Sequence, residues 1–102
     1  MSTAYHVMRK YPGRVPVVIR PKNDKIPSID KEKYLVPRDM TVAQFVVIIR
    51  KHIKLKSTEA IFIFVNNTLP PNSSTVGDIY DENRDALDHM LYITYNMENT
   101  FG

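Results

Sequence analysis

The chain has 102 residues, of which 43% are hydrophobic and 25% are charged, and this composition is typical of a single globular domain. It contains no cysteine, which excludes disulfides, zinc sites with thiolate ligands and thiol catalysis. Of its 14 Lys and Arg residues, 13 lie at or before Lys56. This basic first part either favours the binding of acidic peptides, anionic lipid or nucleic acid, or is simply a solvated surface.

The first predicted elements are a short helix and two strands. Residues 1–12 have weak helical spacing of apolar residues, which predicts an N-terminal helical extension. Residues 14–20 are a β-branched run that predicts a strand, and Pro16 within it indicates a bulge or an edge position. A second strand beginning at Lys33 should pair with the first as an antiparallel hairpin. It should stop at Pro37 and lie at a sheet edge, because proline cannot donate the next hydrogen bond.

An amphipathic helix is predicted directly after this strand. Thr41 and Gln44 have the spacing of a capping box, in which each side chain binds the other's backbone N–H, so the helix should start at Val42. Ile48 lies off the centre of the apolar stripe, so this helix has more apolar surface than the core requires. The core-facing stripe at helical spacing consists of Val42, Phe45, Val46, Ile49 and Ile53, with Arg50, Lys51 and Lys54 in the last turns.

The segment after this helix is predicted to contain a buried strand. Residues 60–65, AIFIFV, are continuously apolar, as in a strand buried on both faces. Residues 66–67 are two asparagines that predict a turn, and residues 69–71 allow only a short edge segment. Either Ser74 or Thr75 can cap the brief helix that follows.

The remaining elements complete a two-layer arrangement. An acidic loop is predicted over residues 81–88, and residues 90–95 alternate as a last strand. Residues 96–102 should form a flexible C-terminal tail. The element order predicts an α+β fold in which a ubiquitin-like β-grasp sheet is wrapped on the central helix, with residues 1–102 forming a single domain.

No motif for catalysis or for a metal site is found. His6, His52 and His89 are scattered, and His52 is interpreted as a surface residue near a helix C-terminus. The acidic segment lacks the ligand spacing of a calcium loop, and there is neither a phosphate-binding glycine loop nor a Gly-x-Ser-x-Gly turn. We therefore predict a protein that is not an enzyme, needs no cofactor and does not bind nucleic acid. The apolar runs are too short to cross a bilayer, so a cytoplasmic location is expected.

Several strings, YLVP, TVAQF, AIFIFVNNTLPP, LYITY and the terminal ENTFG, resemble the ubiquitin-like autophagy modifier family, which includes the GABA-receptor-associated protein and microtubule-associated light-chain 3. The similarity extends from Lys10 to Gly102. It implies that Gly102 is activated by E1-like and E2-like enzymes and transferred to phosphatidylethanolamine on the autophagosome membrane. In relatives, a cysteine protease removes residues that follow this glycine.

The resemblance also implies a docking site for aromatic-x-x-aliphatic peptides of cargo receptors and autophagy proteins. It places the aromatic pocket at Val7, Pro16, Val18, Lys33, Leu35 and Met90. It places the aliphatic pocket at Tyr34, Val36, Pro37, Met40, Phe45 and Ile48. Arg14, Lys31 and Lys33 would contact acidic residues that flank such peptides. The predicted edge strand and the surplus apolar flank of the helix agree with this interpretation.

The sequence departs from the family pattern in three respects. Met90 stands where the family usually has Phe, His52 stands where it usually has Arg, and the chain begins about one helix later than its relatives. The two substitutions are expected to alter which peptides bind. Two alternatives stay open: core packing explains Val18 and Phe45 taken singly, and the protein could be an unconjugated ubiquitin-like scaffold that only binds partner peptides.

Overall fold

The computed structural model describes residues 3–98. Its elements in chain order are α1 (Thr3–Lys10), β1 (Arg14–Pro21), β2 (Lys33–Pro37), α2 (Val42–Arg50), β3 (Phe62–Phe64), α3 (Val76–Asn83) and β4 (Leu91–Asn96). The four strands form one sheet in the order β2-β1-β4-β3. β1 is antiparallel to β2 and parallel to β4, and β3 is antiparallel to β4. The predicted α+β architecture and the hairpin of the first two strands are confirmed.

Strand β1 lies in the interior of the sheet, so the prediction of an edge position or a bulge at Pro16 is wrong. Pairing with β2 is continuous, with Pro16 opposite Leu35. The amide nitrogen of Ile19 donates to Glu32 O, so hydrogen-bonded pairs fall at odd-numbered β1 residues and the Pro16 nitrogen points away from β2. On that other side, pairing with β4 begins only at Val17. The sheet therefore needs no donor at Pro16.

Helix α2 starts as predicted but ends earlier. The backbone N–H of Gln44 donates to Thr41 Oγ1 at 3.2 Å and that of Thr41 donates to Gln44 Oε1 at 2.9 Å, which confirms the capping box. The last helical residue is Arg50, and the chain then tightens into i to i+3 hydrogen bonds. Ile53 is buried through an isolated β-bridge with Ile29, so its predicted place in the helical stripe is wrong.

The second half of the chain differs from the prediction in its boundaries. Strand β3 has only three residues, and no strand forms at residues 69–71. Asn66 and Asn67 have φ of 50° and 64°, the left-handed conformation of the predicted turn. Of the two candidate caps, Thr75 is the one that accepts a hydrogen bond, from the Asp78 N–H. The helix it caps continues to Asn83, so the acidic loop begins later than predicted.

The core lies between one face of the sheet and the inner side of α2. Val15, Val17 and Ile19 of β1 and Leu91, Ile93 and Tyr95 of β4 alternate toward it. From α2, Val42, Phe45 and Ile49 are buried against them, while Val46 is half-buried. β4 continues to Asn96, one residue beyond the predicted strand. The single-domain boundaries and the tail stay predictions, because residues 1–2 and 99–102 lie outside the described part of the chain.

Candidate functional site

The outer edge of β2 is the candidate site, and its position at the edge of the sheet confirms the prediction. The register pairs Val17 with Tyr34 and Val15 with Val36 as hydrogen-bonded pairs. The N–H and C=O groups of Lys33 and Leu35 therefore point away from β1. Main-chain groups that have no strand partner can pair with a further strand, which is the basis of peptide recognition by β-augmentation.

The two faces of β2 present different side chains on either side of this edge. Tyr34 and Val36 belong to the core cluster and lie on the face that packs against α2. Lys33 and Leu35 lie on the opposite face, where their cross-strand partners are Val18 and Pro16. Residues assigned to the two predicted pockets thus separate by strand alternation.

The residues predicted for the aliphatic pocket are brought together between β2 and the start of α2. Tyr34 and Phe45 contact each other, and the N–H of Met40 donates to Pro37 O at 3.1 Å. Val36 and Phe45 are only 3% and 1% exposed, so they support the pocket from the core. Surface accessible to a ligand comes from the half-buried members Pro37, Met40 and Ile48.

The residues predicted for the aromatic pocket come from more elements. Pro16 and Val18 are buried, Leu35 is half-buried and Lys33 is exposed, all on one face of the β1–β2 hairpin. Val7 on α1 and Met90 before β4 are half-buried. Their segments are linked through Tyr80, whose hydroxyl donates to His89 O at 2.6 Å and lies 3.0 Å from Met8 Sδ.

The basic residues predicted to contact peptides line the same strand. Arg14, Lys31 and Lys33 are all exposed. The Lys31 Nζ lies 4.9 Å from the centroid of the Tyr34 ring, a cation–π contact at the start of the edge. Arg14 reaches the strand itself, because its Nη1 donates to Leu35 O at 3.2 Å. Three basic side chains therefore lie along this edge, and their charge favours an acidic ligand.

A contact between the side chains of His52 and Asp30, beside Tyr34, was not predicted from the sequence. His52 is half-buried, its Nδ1 lies 2.8 Å from Asp30 Oδ1, and its ring meets the Tyr34 ring edge to face at 5.8 Å. Burial, followed by the charge of Asp30, raises the pKa of Tyr34 to about 12. The interpretation of His52 as a simple surface residue is thus incomplete. Asp30 and His52 are 22 residues apart, and no local signal joins them.

The structure also contains two clefts, one next to the His52–Asp30 contact and one at the other end of the sheet. An open cleft of about 510 Å³ is lined by Pro27, Ser28, Asp30, Lys51, His52 and Lys54. A groove of about 450 Å³ at the β3 end of the sheet is lined by Val42, Val46, Ile61, Phe62, Ile63, Leu69, Pro70, Pro71 and Asn72. Within residues 3–98, no three His, Asp or Glu side chains are grouped as metal ligands, and none of the helices has the length and apolar character to span a bilayer.

Comparison with known sequences gives matches over nearly the full chain. The family model described as "Autophagy protein Atg8 ubiquitin like" matches residues 1–102. Autophagy-related protein 8c of Arabidopsis thaliana is 55% identical over 97 residues, which cover 94% of this chain and 81% of the relative. Autophagy-related protein 8B of Oryza sativa subsp. indica is 53% identical over 102 residues, covering 99% of this chain and 85% of the relative.

Solved structures of similar fold belong to the same group. The crystal structure of Trypanosoma brucei ATG8 has a TM-score of 0.85 and 39% identity, covering 97% of this chain and 85% of that one. Plasmodium falciparum Atg8, solved in complex with a Plasmodium falciparum Atg3 peptide, has a TM-score of 0.84 and 34% identity, covering 96% and 87%.

Proposed function

The chain belongs to the Atg8 family of ubiquitin-like autophagy proteins, and from this we propose that it is a conjugated modifier that recruits partners through the β2 edge. In this proposal Gly102 is joined to phosphatidylethanolamine. The protein has no enzymatic activity of its own, and it moves from the cytoplasm to the autophagosome membrane once it is lipidated. Cargo receptors and autophagy proteins bind it through aromatic-x-x-aliphatic peptides.

The observation that carries the docking proposal is the free edge of β2. The outward main-chain groups of Lys33 and Leu35 can pair with an extended peptide. Alternate peptide side chains would then lie over opposite faces of the sheet. The half-buried apolar surface of Met40 and Ile48 is available on one face, and that of Val7, Leu35 and Met90 on the other. The Atg3 peptide held by the related Plasmodium falciparum protein supports binding of an E2-like partner.

Burial of two peptide side chains would not by itself give micromolar affinity. Burying one aromatic and one aliphatic side chain contributes about 3–6 kcal/mol before the costs of association. Micromolar affinity needs about 8 kcal/mol. Strand hydrogen bonds and the charges of Arg14, Lys31 and Lys33 would supply the remainder, so peptide affinity should weaken as salt concentration rises.

Peptide titration of single variants tests this site. Leu35→Ala and Ile48→Ala should each lower the affinity for an acidic aromatic-x-x-aliphatic peptide about tenfold, because each removes apolar surface under one peptide side chain. Val47→Ala is the matched control, since Val47 neighbours Ile48 but is 59% exposed on another side of α2. Affinity that is unchanged in both site variants, with the fold intact by circular dichroism, would exclude the β2 edge.

The conjugation proposal rests on the family resemblance of the sequence ENTFG, since Gly102 lies outside the described residues. A C-terminal glycine has no side chain to hinder attack at its carboxyl group. Adenylate and thioester activation would use cysteines of the E1-like and E2-like enzymes. A cysteine protease would process and deconjugate the protein, and the two acyl chains of the lipid would anchor it, since one chain alone binds only marginally.

Reconstitution separates a modifier from the alternative, an unconjugated scaffold. With the family's activating and conjugating enzymes, ATP and phosphatidylethanolamine vesicles, the wild type should gain the mass of the lipid and float with the vesicles. Deletion of Gly102 should abolish both results and leave peptide binding unchanged. A wild type that stays unmodified, with enzymes active on their own modifier, would favour the scaffold.

A further inference from the structure

The side chain of Arg14 is hydrogen-bonded to a main-chain carbonyl with which an added peptide strand would have to pair. Leu35 O points outward from the sheet, so a peptide pairing with β2 has to donate to it. In the free protein this carbonyl already accepts a hydrogen bond of 3.2 Å from Arg14 Nη1. Arg14 lies opposite Pro37 in β1, and its side chain crosses β2 to reach the edge.

The charge of Arg14 has no carboxylate partner within residues 3–98, in contrast to the charges of Arg20 and Arg38. Arg20 forms an ion pair with Glu32 at 3.6 Å, and Arg38 forms one with Asp81. The guanidinium of Arg14 instead uses the neutral carbonyl of Leu35. A charged side chain that covers a free strand edge is a device by which proteins prevent unwanted strand pairing.

We infer that Arg14 is a specificity-determining residue of this edge: its guanidinium covers Leu35 O in the free protein, and a peptide that supplies a carboxylate displaces it at a lower cost than a neutral peptide does. This inference rests on the docking function proposed above. A peptide strand that binds at Leu35 displaces the guanidinium from the carbonyl. A neutral peptide offers Arg14 only a neutral acceptor, whereas an acidic peptide offers a carboxylate, and a hydrogen bond between two ionised groups is stronger than the lost bond to a neutral carbonyl. Arg14 therefore opposes neutral peptides and favours acidic ones.

The test compares two peptides that share the aromatic-x-x-aliphatic core, one with acidic flanking residues and one with the matching amides. Arg14→Met keeps an apolar stem of similar length and removes the guanidinium. We expect affinity to rise about 2- to 10-fold for the neutral peptide and to fall about 2- to 10-fold for the acidic one. Lys33→Met should lower the affinity for the acidic peptide without raising the affinity for the neutral one, and Lys56→Met should change neither affinity.

A second readout needs no peptide. In the free protein, the carbonyl carbon resonance of Leu35 should shift in Arg14→Met and stay in place in Lys56→Met. If Arg14→Met changes both affinities in the same direction, or leaves the neutral peptide unchanged, Arg14 does not act by covering the edge. If Leu35→Ala still weakens the binding of both peptides in that case, the docking proposal is retained and only the role of Arg14 is rejected. If Leu35→Ala weakens neither, docking at this edge and the role of Arg14 are both overturned.

Discussion

Tyr34 and Phe45 meet edge to face, with ring centroids 5.5 Å apart and ring planes at 89°. This contact joins the edge strand to α2 and places part of the proposed docking site directly on the core. The Tyr34 hydroxyl is buried, and no hydrogen-bond partner for it lies among the described residues. Since Tyr34 is 9% exposed, its ring contributes more to folding than to the accessible surface.

The first prediction is that Tyr34→Phe leaves the free energy of unfolding unchanged or raises it by up to about 1 kcal/mol. Removing a buried hydroxyl without a partner relieves its desolvation cost and keeps the ring contact. Tyr95→Phe is the matched control, because the Tyr95 hydroxyl donates to Pro27 O at 2.6 Å, and its loss should cost about 1 kcal/mol. Urea denaturation measures both variants. A Tyr34→Phe variant less stable than Tyr95→Phe would show that the Tyr34 hydroxyl has a stabilising partner.

The second prediction concerns alkaline stability. The folded pKa of Tyr34, about 12, lies above the ordinary value of 10.0, so the folded state favours the neutral phenol. Its contribution to stability is complete below pH 10 and is lost as the pH rises from 10 toward 12. Tyr34→Phe should therefore lose less stability than wild type over this range. Both proteins will still lose some, since burial also raises the pKa of Tyr80 and Tyr95. If denaturation at each pH shows that wild type and Tyr34→Phe lose stability equally, the alkaline loss of stability does not come from Tyr34.

The third prediction compares two neighbouring apolar positions on α2. Ile49 is fully buried in the core, so Ile49→Ala should lower the free energy of unfolding by about 2–5 kcal/mol. Val47→Ala should change it by less than about 0.5 kcal/mol, because Val47 is 59% exposed. Chemical denaturation of the two variants gives the comparison. Similar small losses for both would mean that α2 presents a different face to the sheet.

The fourth prediction concerns Gly77 at the start of α3. A Cβ atom at this position would lie 2.8 Å from both Arg38 Cβ and Arg38 O. Contacts this short would force either α3 or the Arg38 backbone to move. The Gly77 N–H also donates to Arg38 O at 2.9 Å, which holds α3 against the end of β2. Gly77→Ala should therefore destabilise the protein by about 1–3 kcal/mol, although alanine favours helix.

Gly13 provides the control for that substitution. A Cβ atom there would have no heavy atom within 4 Å, and its φ is not positive. Gly13→Ala should leave the thermal midpoint nearly unchanged. A Gly77→Ala variant as stable as Gly13→Ala would show that α3 can move away from Arg38 at little cost.

The sequence by itself determined the features that depend on neighbouring residues. The capping box of Thr41 and Gln44, the start of α2, the turn at Asn66 and Asn67, and the end of β2 at Pro37 all appear as predicted. These signals act over three or four residues, so their physical cause is contained in the local sequence. The family was also identifiable from the sequence, because long strings match in the same order.

Only the tertiary structure decided which groups of the site are accessible. Pro16 is tolerated within an interior strand because β4 pairing starts one residue later, and Ile53 leaves the helix to pair with Ile29. Phe45 supports a predicted pocket from within the core, and Arg14 covers Leu35 O from the neighbouring strand. Each of these outcomes depends on strand order and on contacts between residues distant in sequence, which no local pattern specifies.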